Sequence, residues 1–256
     1  MSDAAPLVGK VAWISGGGSG IGEAAARALA PLGATVVLTG RRRDALDRVA
    51  SGIAEAGGEA IAMAGDVTSA ESVEEIAARI GDELGRIDIL VNNAGRNIDA
   101  RHWDALTPSG IDAVVDLNLT AMMYCVTAVL PAMRRQAGGL VINTASIYGR
   151  LLSRLPGPAY LASKHAVVAM THSINMEECV NGIRATAFCP GEVATPLLDT
   201  RPVPVSAEMR ARMIQPEDCG RAIAFLATLP PHLCVNEFVL TPTWNREYVT
   251  ALSHPF

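Results

Sequence analysis

Three side chains able to hold or move a proton lie close together in the chain: Ser146, Tyr160 and Lys164. If the stretch from about Pro158 to Cys179 forms a helix, residues four apart share a face, and the phenol of Tyr160 stands beside the ammonium of Lys164. An isolated phenol titrates near ~10, and a fixed positive charge within a few ångströms lowers that value toward neutrality, where an acid or base is most useful. Ser146, placed just past an expected strand, can hydrogen-bond the same carbonyl or hydroxyl oxygen that Tyr160 protonates or deprotonates. The same Tyr-x-x-x-Lys spacing also arises on solvated helix faces, so its meaning depends on what holds it.

The elements around it alternate. Val11 to Ile14 is a short apolar run entering Ser15-Gly16-Gly17-Gly18-Ser19-Gly20-Ile21-Gly22, and an Ala-rich helical stretch from Glu23 to Leu32 follows. Glycines let the backbone turn sharply and approach a pyrophosphate, and the free N–H groups at the helix start favour an anion. The spacing is Gly-x-x-x-Gly-x-Gly, not the strict Gly-x-Gly-x-x-Gly fingerprint. The next expected strand, Ala34 to Thr39, ends in Gly40-Arg41-Arg42-Arg43, with no acid between Glu23 and Asp44. An NAD site usually places a carboxylate here for the ribose hydroxyls, whereas a 2′-phosphate calls for arginine. Arg41 and Arg42 therefore favour NADP, with NAD still possible; a solvated loop is the alternative.

A helix from about Asp44 to Ala56 leads to strand Ala60–Ala64, which closes on Gly65-Asp66-Val67. Ser69 is the expected N-cap of a helix to Leu84. Asp88 to Val91 is almost continuously apolar, as a strand buried on both faces should be. It runs into Asn92-Asn93-Ala94-Gly95, small and polar residues suited either to a turn or to the cofactor end of a parallel strand. Thr107-Pro108 reads as an N-cap and first helical residue opening a long helix to about Arg135, which Pro131 is expected to bend or interrupt. Asn118 inside it is a poor helix former and needs a reason to be there. Strand Gly139–Asn143 delivers Thr144, Ala145 and Ser146, and strand Ile183–Phe188 ends in Cys189-Pro190-Gly191-Glu192-Val193-Ala194-Thr195-Pro196. A helix from Gln215 to about Leu229 and a strand Glu237–Leu240 complete the chain. The pattern predicts one α/β domain spanning residues 1–256: a doubly wound, Rossmann-type, mostly parallel seven-stranded sheet with helices on both faces.

A chain of 256 residues can bury a large core, and one that is 50% hydrophobic and 4% aromatic suits an aliphatic interior. Its 21 basic and 26 acidic residues give a formal charge of −5, which argues against a general nucleic-acid or membrane-surface binder. Met1 to Lys10 lacks a basic region followed by an apolar one, and no run approaches the ~20 apolar residues of a membrane span. A cytoplasmic protein is the expectation. The five cysteines, Cys125, Cys179, Cys189, Cys219 and Cys234, are scattered without a Cys-x-x-Cys pair and read as reduced. His165 and His172, seven apart, lack an evident third ligand, so no metal site is expected.

Taken together these residues resemble the short-chain dehydrogenase/reductase family, from Lys10 to about Leu240. The motifs fall in the family's order: Gly16-x-x-x-Gly20-Ile21-Gly22, Asp66-Val67, Asn92-Asn93-Ala94-Gly95, Asn118, Ser146, Tyr160-x-x-x-Lys164 and Pro190-Gly191-x-Val193-x-Thr195. The resemblance implies that Tyr160 is the general acid/base and that Ser146 holds the substrate oxygen. It implies that Lys164 lowers the tyrosine pKa and binds the nicotinamide ribose, while Asn118 holds a water linking Lys164 to solvent. Gly16, Ser19, Gly20, Ile21 and Gly22 would cradle the pyrophosphate. Asp66 and Val67 would meet adenine, Asn93, Ala94 and Gly95 the adenosine side, and Pro190, Gly191, Val193 and Thr195 the nicotinamide end. It further implies a reversible carbonyl reductase or alcohol dehydrogenase, assembled as a homotetramer or homodimer. Two departures stand out: Ser15 replaces the commoner threonine but keeps the hydroxyl, and Asn236–Asn245 differs from the Gly-rich ending many members have.

The segment 192–213, with Pro196, Pro202 and Pro204, is expected to cover the substrate as a lid. Of Arg150 and Arg154, between Ser146 and Tyr160, and Arg96 after the Asn-Ala-Gly motif, at least one is expected to face the pocket and favour a polar or anionic small-molecule substrate. Surface placement is the alternative. Two rival functions are a catalytically silent NADP(H)-binding sensor and a nucleotide-sugar epimerase or dehydratase; the intact set Asn118, Ser146, Tyr160 and Lys164 argues against the first. The short carboxyl-terminal region argues against the second.

Overall fold

Short apolar runs followed by amphipathic helices organise the chain, and the computed structural model describes residues 5–201 and 203–253 of it. In chain order, β1 (Val11–Ser15) is followed by α1 (Gly20–Leu29), β2 (Thr35–Gly40), α2 (Arg43–Glu55), β3 (Glu59–Ala64), α3 (Ala70–Leu84) and β4 (Ile89–Asn92). The second half runs α4 (Pro108–Val115), α5 (Ala121–Arg135), β5 (Gly139–Thr144), α6 (Pro158–Glu178) and β6 (Ile183–Pro190). It ends with α7 (Ala207–Arg212), α8 (Pro216–Thr228), β7 (Glu237–Leu240) and α9 (Arg246–Ser253).

The strands form one sheet in the order β3-β2-β1-β4-β5-β6-β7. Every neighbouring pair is parallel, with Trp13 beside Val37 and Leu90, and Val141 beside Leu90 and Ala185. Alternate side chains point to opposite faces. Ile14, Leu38, Val91 and Ile142 pack on one core with Leu29, Leu46 and Ile223 from α1, α2 and α8. Trp13, Val37, Leu90 and Val141 pack on the other with Ile76, Val126 and Ile174 from α3, α5 and α6. Each such fully buried aliphatic side chain contributes ~1.5–3 kcal/mol relative to exposure. The chain order reverses between β1 and β4, and in sheets of this kind a crevice opens there beyond the carboxyl ends of the strands.

The expected helix starts hold. Ser69 accepts a hydrogen bond from the Ser72 amide at 3.2 Å, and Thr107 accepts from the Gly110 amide at 3.1 Å just ahead of Pro108. Pro131, however, does not interrupt α5: it sits on the exposed face, where the carbonyl it leaves unbonded can meet water. The continuous helical run Pro108–Arg135 is, against the sequence expectation, long and apolar enough to cross a membrane, with a mean hydropathy of 1.7. Its apolarity serves the core: Val114, Ala121, Met122, Cys125, Val126, Val129 and Met133 are buried.

Inside that run, Asp116–Thr120 forms one π-helical turn, a feature that concentrates at functional sites. It explains the misplaced asparagine. Asn118 is fully buried, its Oδ1 accepting from the Arg96 amide at 2.8 Å and its Nδ2 donating to Arg96 O at 3.0 Å and Ser163 Oγ at 3.3 Å. One side chain thus pins the loop after β4 to helix α6. A second polar chain crosses the sheet, with Asn92 donating to Asn143 Oδ1 at 3.0 Å and Asn143 donating to Thr171 at 3.0 Å.

Of the five cysteines, Cys125, Cys189 and Cys219 are buried and Cys179 and Cys234 exposed, all as free thiols. His165 and His172 are engaged separately: one ring nitrogen lies 2.9 Å from Leu161 O, the other 2.8 Å from a Glu237 carboxylate oxygen.

Candidate active site

The crevice at the carboxyl end of the sheet holds two cavities that share a wall. The inner one, about 330 Å³, is lined by Gly16, Ser19, Gly20, Ile21, Asn93–Arg96, Thr144–Ser146, Tyr160, Lys164, Pro190–Val193 and Thr195. The outer one, about 240 Å³, is lined by Gly18, Ser19, Arg41, Arg42, Asp66, Val67 and Leu117. Gly16, Ser19, Ala94 and Gly95 belong to both. Together the two cavities take in every cofactor-contact residue the sequence singles out except Gly22.

The glycine turn is built for close approach. A Cβ on Gly22 would lie 2.3 Å from Gly16 O, so no larger residue fits where α1 leaves the turn. Ser19, at the N-cap, is extended and makes no side-chain cap bond, which leaves the first amides of α1 open to an anion. Arg48 from α2 holds the turn from outside through Gly18 O at 3.1 Å and Glu23 at 2.7 Å. Ser15 justifies its hydroxyl: Oγ accepts from the Asn93 amide at 3.0 Å and the Ala94 amide at 3.1 Å, locking turn and loop together. Asn93 Nδ2 returns to Ser15 O at 3.3 Å, so its side chain serves the protein backbone. Asp66 accepts from the backbone amide of Thr68 at 3.0 Å, which with the Thr68 hydroxyl and the charge of Arg41 holds its carboxyl below the usual carboxylate range.

Tyr160, Ser146 and Lys164 converge on the inner cavity. Ser146 caps the short turn Ile147–Gly149, accepting from the Tyr148 amide at 3.2 Å, and that bond aims its hydroxyl at Tyr160. Lys164 is 3% exposed; its Nζ donates to Thr144 O at 2.7 Å and lies 5.6 Å from the Tyr160 ring centroid. The electrostatics differ from the sequence expectation. Burial raises the Tyr160 phenol above its ordinary value, opposed by the Ser146 hydrogen bond and by the charges of Arg201 and Arg101. The lysine tail turns to a backbone carbonyl, and burial pushes its own pKa down to about 8. The native protein therefore releases this proton before the unfolded chain does. The burial cost, on the order of 3 kcal/mol, is fully present below about pH 8 and is relieved as pH rises toward the lysine's ordinary value of 10.5.

A spectroscopic consequence follows for the cofactor-free protein. Tyrosinate absorbance of the wild type and of Tyr160→Phe, titrated side by side, is expected to coincide up to about pH 10. A Tyr160-dependent phenolate appearing near neutrality would show that the phenol is already activated before any ligand binds.

On the substrate side, one of the three arginines singled out in the sequence lines the cavity and two do not. Arg150 pairs with Glu237 at 2.8 Å and Arg154 is exposed; among the described residues neither lines the cavity. Arg96 does, together with two arginines that carried no sequence signal, Arg101 and Arg201. The lid segment contains the short turn Pro196–Thr200 and α7, joined by an Arg210–Asp199 ion pair. It supplies Pro196, Leu197, Leu198 and Arg201 to the cavity, while Pro202 lies outside the described residues. Helix α9 braces the residues around the cavity: Glu247 accepts from the Tyr148 hydroxyl at 2.9 Å and Ser153 at 3.0 Å, and Arg246 lies 3.2 Å from Glu192.

Residues 10–203 match the family model described as short chain dehydrogenase. The chain belongs to the short-chain dehydrogenase family. As such it is an oxidoreductase. The dehydrogenase is 33% identical over 236 residues to an uncharacterized oxidoreductase of Staphylococcus aureus, covering 92% of this chain and 98% of that one. It superposes on a metagenomic short-chain oxidoreductase in complex with NADP with a TM-score of 0.81 at 32% identity, covering 94% of this chain and all of the other. An alcohol dehydrogenase from the archaeon Thermococcus sibiricus, complexed with 5-hydroxy-NADP, gives a TM-score of 0.83 at 30% identity over 93% of this short-chain dehydrogenase and 98% of that chain.

Proposed function

We propose that this oxidoreductase is an NADP(H)-dependent carbonyl reductase or alcohol dehydrogenase that uses Tyr160 as its general acid/base. The observation that carries the reading is the convergence of Ser146, Tyr160 and Lys164 on one cavity, which shares the turn at the open amides of α1 with a second cavity lined by Arg41 and Arg42. The cradle fits a nicotinamide dinucleotide, which when bound supplies or accepts the hydride. Gly16, Ser19, Gly20 and Ile21 would hold its pyrophosphate, Arg41 and Arg42 a 2′-phosphate, and Val193 and Thr195 its nicotinamide end. NADP-bound relatives with this fold support that assignment.

The protein's own part is placement and proton transfer. Ser146 holds the substrate oxygen against the Tyr160 hydroxyl. Because burial keeps that hydroxyl protonated, it is ready to donate as charge builds on the oxygen during reduction; the reverse reaction requires the phenolate and gains as pH rises. Lys164, still ammonium below about pH 8, is the conduit that returns a proton to Tyr160, with Asn118 fixing the neighbouring loop beside it. Apolar walls from Leu155, Pro156, Leu197 and Leu198 exclude water from the reacting carbon.

The test is an assay of NADPH absorbance with a panel of ketones and oxo acids. Loss of NADPH in proportion to alcohol formed is expected, from protein that purifies without stoichiometric nicotinamide. Tight cofactor binding without turnover would favour a sensor, and protein that retains its NAD would favour an epimerase-like cycle.

A further inference from the structure

The inner cavity is electrostatically lopsided. Arg96, Arg101, Lys164 and Arg201 line it against a single carboxylate, Glu192. One oxygen of that carboxylate, Oε1, lies at ion-pair distance from two guanidinium groups, 2.9 Å from Arg201 Nη2 and 3.2 Å from Arg246 Nη2. Arg201 nevertheless keeps a second nitrogen, Nη1, buried without a hydrogen-bond partner among the described residues. An unmet buried guanidinium N–H is costly, and a carboxylate is the group whose geometry best answers it.

Arg101 lines the same space. It is 6% exposed, and its backbone is clamped to the start of α6. Gly157 sits at φ +77°, and a Cβ there would lie 2.2 Å from Arg101 O and 2.9 Å from Arg101 Cβ. Tyr160 follows three residues later, in the first turn of the helix. Arg101 is thus fixed to the same turn as the phenol, while Arg201 arrives from the lid just after Pro196–Thr200. Burial and the charge of Arg201 hold Arg101 below its ordinary value against the opposing charge of Asp99, and both arginines act on Tyr160. The lining therefore carries more positive than negative charge beside the phenol, and with Arg201 Nη1 still unmet that excess favours an anion in the pocket.

We propose that Arg101 and Arg201 form a carboxylate-binding subsite beside Tyr160, and that the substrate is an oxo acid, or its hydroxy acid, with the carboxylate a few bonds from the reacting carbonyl. This deepens the carbonyl-reductase reading and rests on it. The carbonyl carbon receives a hydride, its π pair moves to oxygen, and Tyr160 protonates that oxygen. The carboxylate is unchanged, so an oxo acid, a proton and NADPH give a hydroxy acid and NADP. The arginines then act in specificity, by holding one end of the substrate.

Phenylglyoxylate and 3-benzoylpropionate, each beside its methyl ester, test the proposal with wild type, Arg101→Gln and Arg201→Gln. Benzoate binding to the NADPH-loaded protein, measured by calorimetry, gives a readout independent of turnover. The wild type is expected to prefer at least one acid over its ester in kcat/KM. Each variant is expected to lower that acid-to-ester ratio, and the affinity for benzoate, by about 10- to 100-fold, the scale of a charge-assisted hydrogen bond. Equal use of acids and esters by the wild type would overturn the proposal. So would variants that lower both rates in parallel, or an Arg201→Gln loss that falls on NADPH affinity, which would place that guanidinium against the cofactor. Arginine-dependent benzoate binding without reduction of any compound would uphold the subsite while removing the reductase reading; absence of such binding would remove the subsite whatever the turnover.

Discussion

Tyr160→Phe is expected to lower kcat for carbonyl reduction by about 10³- to 10⁴-fold, near the upper end of what general acid catalysis supplies. That corresponds to about 4–5.5 kcal/mol of transition-state stabilisation. Phenylalanine keeps the ring against the cavity wall and removes only the hydroxyl, so NADPH affinity should stay within about threefold. Steady-state kinetics combined with a fluorescence titration check both halves. Of the other hydroxyls that line the cavity, Ser146 is hydrogen-bonded toward Tyr160, and the second phenol, Tyr148, is committed to Glu247. A variant keeping a tenth of wild-type kcat would show that the acid lies elsewhere.

The double variant Arg41→Ala/Arg42→Ala is expected to weaken NADPH about 100-fold and NADH less than about threefold. Both arginines are exposed at the mouth of the outer cavity, so each phosphate contact is taken at the low end of charge-assisted bonds, near tenfold. Screening follows from the same exposure, and raising the salt from about 0.05 to 0.5 M should compress the NADPH preference of the wild type. Asp66 remains in the cavity after the change, with a carboxyl still held ionised by the Thr68 backbone amide, which favours ribose hydroxyls over phosphate. Isothermal titration with both cofactors measures the outcome. Equal weakening of the two, or of neither, would mean that the guanidinium groups point to solvent.

Local spacing carried the reading of the site as far as local spacing can. The i,i+4 relation of Tyr160 and Lys164, the glycine turn between β1 and α1, and Ser146 past the end of β5 depend on backbone periodicity, and each lies where that periodicity puts it. Side-chain destinations set by distant segments were not readable. Arg150 turns from the cavity because Glu237 of β7 is 2.8 Å away, a partner 87 positions along the chain. Arg101 and Arg201 reach the cavity on loops without periodic pattern, one clamped by Gly157 and the other carried by the lid. Asn118 signalled trouble for a regular helix, and the π-turn is the answer, but nothing in the sequence named Arg96 as its partner. The net direction of the tyrosine's shift was unreadable for a similar reason. Spacing places an ammonium near a phenol, whereas burial of both and the pull of Thr144 O decide how the two titrate.

Transfer of label tests the central claim most directly. NADPH carrying deuterium at C4, prepared separately in each of its two stereochemical forms, is incubated with the protein and the carbonyl panel, and the products are read by mass spectrometry. An alcohol with one deuterium on the carbinol carbon is expected from one form of the cofactor and none from the other, and Tyr160→Phe is expected to form the labelled product about 10³- to 10⁴-fold more slowly. Saturable NADPH binding with no labelled alcohol from any carbonyl compound would contradict that claim.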